Sequence, residues 1–206
     1  MKTNFFKLSI LAIALALTSC SNDDSSTNVA LTTKLASNLY APQSGGQGQP
    51  VSGEFTKFSF SENGIVTNNN WDIAFRGSTI IVNGGTEIGI TDEPTRTGIA
   101  AVSFVKNTLA GVTLFPEATT FKQDGPATYA IATGSNNGWY NYNPTTHLIV
   151  PIAGKIFVVK THDGKYAKFE ILSYYKNAPA SPDAINDPSG YYTFNFVYQP
   201  NSTITF

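Results

Sequence analysis

Cysteine and methionine are nearly absent from this chain, each occurring once, as Cys20 and Met1. With a single thiol, no intrachain disulfide framework, zinc ribbon or cysteine-based metal cage can be assembled. Histidine is almost as rare. His147 and His162 are the only two, and neither stands in a helix-borne zinc-protease motif. No Gly-x-Ser-x-Gly elbow and no phosphate loop occur. Charged residues make up 13% of the chain and nowhere form a basic stripe, so the electrostatic footprint that nucleic acid requires is missing. The apolar stretch 8–17 is too short to span a bilayer as a mature helix. No later window holds a long 3.6-residue periodicity, which excludes a helical bundle.

What is present at the start of the chain is a lipoprotein leader pattern. Lys2 and Lys7 accompany the apolar stretch, and Leu17-Thr18-Ser19-Cys20 resembles the lipobox at which bacterial lipoproteins are cleaved. The pattern predicts a signal peptide over residues 1–19 and acylation of Cys20. Each buried methylene of an acyl chain contributes about 0.8 kcal/mol, so several chains on Cys20 make a near-permanent membrane anchor. The alternative is a plain secreted protein whose signal ends near a cysteine. Losing Lys2 and Lys7 takes the 13 basic side chains to 11, against 14 acidic ones. Residues 20–30 read as the acylated cysteine and a solvated tether, and 31–206 as one domain. The acidic step Asn22-Asp23-Asp24 resembles the signal that, in some Gram-negative groups, sends a lipoprotein to the outer face of the outer membrane.

Gly, Asn, Ser, Thr and aromatics are plentiful, the usage of an extracytoplasmic sheet protein with polar turns. From Glu54 onward, strand signals recur with turn residues between them. EFTKFSF puts Thr56, Phe58 and Phe60 on one face, and WDIAF puts Trp71, Ile73 and Phe75 on one face with Asp72, Ala74 and Arg76 opposite. Further strands are predicted in STIIVNGG and GIAAVSFV. The strongest local signal is Asp163-Gly164, which joins runs 155–161 and 166–175 into a hairpin, read as a type I′ turn. YYTFNFVYQ and the terminal STITF supply two more strands. Residues 43–50, QSGGQGQP, read as a flexible loop, and 178–189, with three prolines, as an exposed loop with one helical turn at SPDAI. The fold class expected is all-β: a single domain of many short, mostly antiparallel strands with little helix outside the signal peptide.

No spacing marks an active site. Glu87, Asp92 and Glu93 cluster in a turn-bounded segment that reads as a solvated loop, not as a glycosidase pair. The chain is read as a binding protein and not as an enzyme.

The order WDIAFRGSTIIVNGG, GWYNYNPTTH, KIFVVKTHDGKYAKFEILSYY and SGYYTFNFVYQ resembles the HmuY family of haem-binding outer-membrane lipoproteins. The resemblance runs from about Phe55 to Gln199 and implies a β domain that takes up haem and passes it to a TonB-dependent outer-membrane receptor. Haem capture needs a flat apolar slot, partners for two propionates and axial ligands on iron. Trp139, Tyr140 and Tyr142 are the aromatics expected to wall the slot, and Lys155, Lys160 and Arg76 the cations available to propionates. Each of these is equally an ordinary strand residue. Family members that hold haem tightly use two histidines or methionines, one from an upstream loop and one from the loop after the Gly-Trp strand. The second loop corresponds here to residues 143–147, where His147 is the candidate axial ligand. The upstream loop, within about 116–128, has neither His nor Met. His162 falls beside the Asp163-Gly164 turn, where an exposed hairpin residue is expected, and Tyr129 or Tyr142 is the remaining tyrosinate option. Two further readings remain: the same fold binding a different planar or apolar ligand, and a surface glycan-binding or structural lipoprotein using Trp139 with Asn136, Asn137 and Asn141 as a platform.

Overall fold

Alternating aromatic strands can be stable only if their apolar faces meet, and here two antiparallel sheets bring them together. The computed structural model describes residues 31–206; the leader, Cys20 and the tether lie outside the described residues. The larger sheet has five strands: β1 (Lys34–Tyr40), β8 (Ala101–Lys106), β11 (Lys155–Lys160), β12 (Tyr166–Tyr175) and β13 (Ser189–Gln199), in the order β1-β13-β12-β11-β8. The smaller has four: β4 (Thr56–Ser59), β5 (Gly64–Val66), β6 (Ile73–Arg76) and β7 (Thr79–Val82), in the order β5-β4-β6-β7. All pairings within both sheets are antiparallel. Two small hairpins complete the set, β2 (Ser44–Gly46) with β3 (Gln49–Ser52) and β9 (Tyr140–Tyr142) with β10 (Ile149–Pro151). A single turn of 3-10 helix spans Ala118–Thr120. The all-β expectation holds.

The main core is aromatic. Phe58 of β4 meets Phe194 and Phe196 of β13 at 5.1 and 5.5 Å between ring centres, and Phe75 of β6 meets Tyr192 at 4.7 Å. Such tilted and edge-on pairs contribute about 0.5–1.5 kcal/mol each beyond their buried area. Both sheets are also covered behind. Phe55, Val66, Trp71, Ala74, Ile81 and Ile88 form a second cluster, and Leu109, Val112, Ile156, Val158 and Val197 a third. That explains why β6 and β11 read as nearly continuous apolar runs: both faces are buried, the terminal Lys155 and Lys160 of β11 excepted. It also corrects the placement of Trp71. This residue precedes β6 and packs with Ala74 in the second cluster, while Ile73 and Phe75 belong to the main core.

The 155–175 hairpin forms as expected, with a different turn. Only Gly164 has a positive φ, 82°; its N–H donates to the Thr161 carbonyl at 3.0 Å, and the Thr161 N–H donates to Lys165 at 2.9 Å. A type I turn closed by a left-handed glycine has this pattern, whereas type I′ needs two positive φ values. Residues 43–50 are not a loop. They form the β2/β3 hairpin, whose connecting Gln47 and Gly48 both have positive φ, 51° and 92°. The terminal STITF is not a strand: Thr205 makes an isolated bridge to Leu114, and Phe206 packs edge-on against Phe115. In the exposed loop before β13, Asp183 organises one turn, its carboxylate accepting from the amides of Ile185 and Asn186.

Candidate functional site

Beside the edge strand β8, the segments 116–133 and 136–138 come together with the base of the β9/β10 hairpin. They enclose a cleft of about 780 Å3 and an adjoining pocket of about 480 Å3. Phe104, Tyr129 and Lys155 line both. Phe104 is an aromatic on the outward face of β8 and is 62% exposed. Gly138 allows the close approach of two walls, since a Cβ there would lie 2.1 Å from the Ala132 carbonyl oxygen.

Cations dominate the electrostatics of this cleft. Lys106 stands in the larger cavity, Lys122 in the smaller and Lys155 in both, and no Asp or Glu lines either. The Lys155 ammonium donates to the carbonyls of Asn137 and Gly138 and lies 4.6 Å from the centre of the Phe104 ring. Burial lowers its pKa from the ordinary lysine value, and no carboxylate offsets that. Tyr129 is half-buried, and desolvation raises its phenol above the usual value despite nearby Arg76.

A charge knot behind the cleft holds Tyr129 in place. Asp124, buried in the loop ahead of it, accepts from the amides of Ala130 and Val82 at 2.9 Å each, which pins the loop to β7. Arg96 bridges Asp124, at 3.0 Å, to Glu93. Glu93 also accepts from the amides of Ile88, Gly89 and Ile90. Burial alone would raise the Glu93 carboxyl, but these amides and Arg96 outweigh it and hold it below the usual range. Burial wins at Asp124, whose carboxyl is raised. The solvated-loop reading of Glu93 is therefore wrong: its side chain is 6% exposed.

The other residues singled out in the sequence fall in different places. Trp139 is 2% exposed; its indole N–H donates to the Ser78 carbonyl at 2.8 Å, and its ring packs against Tyr140, Tyr174 and Tyr192. A tryptophan so placed is core, and its ring is not exposed as the alternative reading of a sugar platform, or a slot wall, requires. Tyr140 is half-buried against it. Arg76 is 3% exposed, donates to the carbonyls of Gly53 and Thr91 and stacks on Phe55 at 4.4 Å, so it faces no ligand space. Lys160 lines a third groove with Phe115 and Tyr166, away from Lys155.

The two histidines are bound up separately. His162 is not an exposed hairpin residue: its Nδ1 lies 2.7 Å from Asp72 Oδ1, and its backbone N–H donates to the same oxygen at 2.8 Å. Asp72, fully buried, also accepts from the Phe60 amide at 2.7 Å. The Asp72 hydrogen bond raises the His162 pKa above its usual value, against the opposing effect of burial. His147 sits at the exposed tip of the β9/β10 hairpin with φ 58°, after a turn in which Asn143 Oδ1 accepts from the amides of Thr145 and Thr146. Its Nδ1 lies 2.7 Å from the Tyr142 hydroxyl. The tautomer protonated on Nδ1 donates to Tyr142 and leaves Nε2 unprotonated, the form that binds a metal. The base of this hairpin lines the cleft through Ile152 and Ala153; His147 and Tyr142 do not. Among the described residues, no three His, Cys, Asp or Glu side chains are placed to hold a metal ion.

Residues 52–196 match the family model described as HmuY protein. Among solved structures, the apo HmuY analog of Tannerella forsythia aligns with a TM-score of 0.51 at 14% identity, over 83% of this chain and 96% of that one. A Bacteroides vulgatus protein, described provisionally as HmuY-like and heme binding, aligns at 0.47 and 12% identity over 82% and 92%. A Bacteroides fragilis protein, described provisionally as a lipoprotein, aligns at 0.46 and 13% over 81% and 90%. At such identity the Tannerella likeness carries the fold alone. No curated protein matches the sequence.

Proposed function

The chain belongs to the HmuY family, and from that premise we propose that it is a lipid-anchored protein of the outer-membrane surface that binds haem and delivers it to a TonB-dependent receptor. The observation that carries the haem reading is the cleft beside β8, of about 780 Å3 and walled by Phe104 and Tyr129 with lysines at its rim. That is the size and lining expected of a site for one flat, mostly apolar ligand with polar ends. Anchoring through Cys20 and surface exposure rest on the lipobox and on Asn22-Asp23-Asp24, which lie outside the described residues. Of the two imidazoles, His147 is the candidate axial ligand on the family resemblance, since it stands in the loop after the Gly-Trp strand, exposed and with Nδ1 engaged by Tyr142 and Nε2 free, although it lies outside the cleft lining.

The test is a titration with ferric and ferrous haem, recorded in the visible spectrum, on the wild type and His147→Ala. A shifted Soret band that saturates at one haem per chain supports the reading, and its loss in the variant assigns His147 to iron. A spectrum identical to that of free haem defeats it. One observation favours a second reading, a planar ligand other than haem: the cleft lining contains no imidazole and no thioether.

A further inference from the structure

Haem proteins that hold their ligand through iron place a strong donor against the slot. Here the cleft offers Tyr129 as its sole side chain of that kind, and desolvation makes the tyrosinate form costly. What the cleft has in excess is positive charge. Lys106, Lys122 and Lys155 face it without a carboxylate in the lining, in a chain whose net charge is −1. Elsewhere among the described residues Arg96 and His162 have acidic partners, while Arg76 and Lys168 are held by carbonyls and an aromatic face but, unlike Lys155, line neither of these cavities. Lys155 is half-buried, tied only to neutral carbonyls and an aromatic face, and a ligand carboxylate at that point would supply its missing counter-charge.

We propose that this cleft recognises the anionic planar macrocycle itself, with Lys155, Lys106 and Lys122 meeting its carboxylates and Phe104 and Tyr129 its faces, and that this grip does not require a metal at the centre of the ring. The ligand class is then the carboxylated tetrapyrroles, metal-free or metallated. The inference rests on the haem reading for the position of the site and deepens it by naming what the site recognises.

The full chain is titrated, by quenching of porphyrin fluorescence and by absorbance, with ferric haem, iron-free protoporphyrin and protoporphyrin dimethyl ester. Wild type, Lys155→Met, the double variant Lys106→Ala/Lys122→Ala and His147→Ala are compared. The inference expects haem and protoporphyrin to bind with dissociation constants within about threefold of each other, and the ester at least about tenfold more weakly, the loss of one charged hydrogen bond. Lys155→Met and the double variant weaken both acids by about tenfold each, while His147→Ala leaves protoporphyrin unaffected. Lys106 and Lys122 are exposed, so the double variant remains informative if Lys155→Met fails to fold. Haem that binds while protoporphyrin does not, or an ester that binds as well as the acid, overturns the inference and leaves the haem reading standing. Binding of neither haem nor protoporphyrin overturns both.

Discussion

Around Asp72, Glu93 and Asp124 each buried carboxylate meets a basic side chain and two or more amides, whereas Lys155 lies between two adjoining cavities lined also by Lys106 and Lys122 and by no carboxylate. The two regions adjoin, since the loop pinned by Asp124 carries Tyr129 into the cleft wall. Their difference separates two uses of charge. Where a charge is paired inside the fold, it fixes the path of a loop, and breaking the pair leaves its partner stranded in low dielectric. Where a charge beside a cavity has no carboxylate partner, as at Lys155, the fold holds it by carbonyls and an aromatic face and leaves its counter-charge to a ligand.

Four measurements break or sharpen that contrast. The largest effect is expected from Asp72→Ala, which strands His162 and the Phe60 amide and should cost about 3–5 kcal/mol in denaturant unfolding, as for a broken buried pair. A loss below about 1 kcal/mol would mean that Asp72 is not the link between β4 and the β11/β12 turn. Next is Arg96→Met. Leaving Glu93 and Asp124 without their cation should cost about 3 kcal/mol and also weaken ligand binding, because the loop bearing Tyr129 is loosened. Binding unchanged in the folded variant would show that the knot and the cleft are independent.

His162 gives a smaller effect with a defined sign. Its folded-state pKa is raised above the ordinary histidine value of 6.5, so its contribution is fully present below that value and is lost as pH rises through the folded pKa. The melting-temperature gap between wild type and His162→Ala should therefore be wider at about pH 5.5 than at about pH 8.5. An equal gap would show that the charged pair adds nothing beyond the backbone contact. The smallest stability change belongs to Lys155→Met. It should lie within about 1 kcal/mol of wild type, since the two ammonium–carbonyl hydrogen bonds and the contact with Phe104 are lost together with the desolvation cost of the cation, which offsets them. A larger loss would move Lys155 from the ligand's side of the comparison to the fold's.

The strands that could be read from the sequence are those whose signals are local. Asp163-Gly164 between two β-rich runs specifies a hairpin, because a glycine at positive φ is available where the chain must reverse. The reading failed where a local signal was ambiguous. QSGGQGQP has the composition of a loop, yet Gln47 and Gly48 turn it into a hairpin, and Trp71 lies outside β6, just ahead of it, and does not share its alternation. At the candidate site, Lys155 was named in the sequence as a cation available to propionates, but Phe104, Lys106 and Lys122 carried no pattern that would have selected them. An exposed strand aromatic and two surface lysines become a site only when the 116–133 segment folds back beside β8, where Val102 and Lys122 exchange hydrogen bonds at 2.8 Å.

The sequence by itself determined the all-β class, the family and the scarcity of iron-ligating side chains, because composition, period-two alternation and turn chemistry are properties of neighbouring residues. Only the tertiary structure decided that Trp139 is core, that His162 belongs to Asp72 ninety residues away, and that three lysines converge while Arg76 does not. Burial and charge pairing depend on which distant segments meet, and water excluded by one strand sets the free energy of a charge on another.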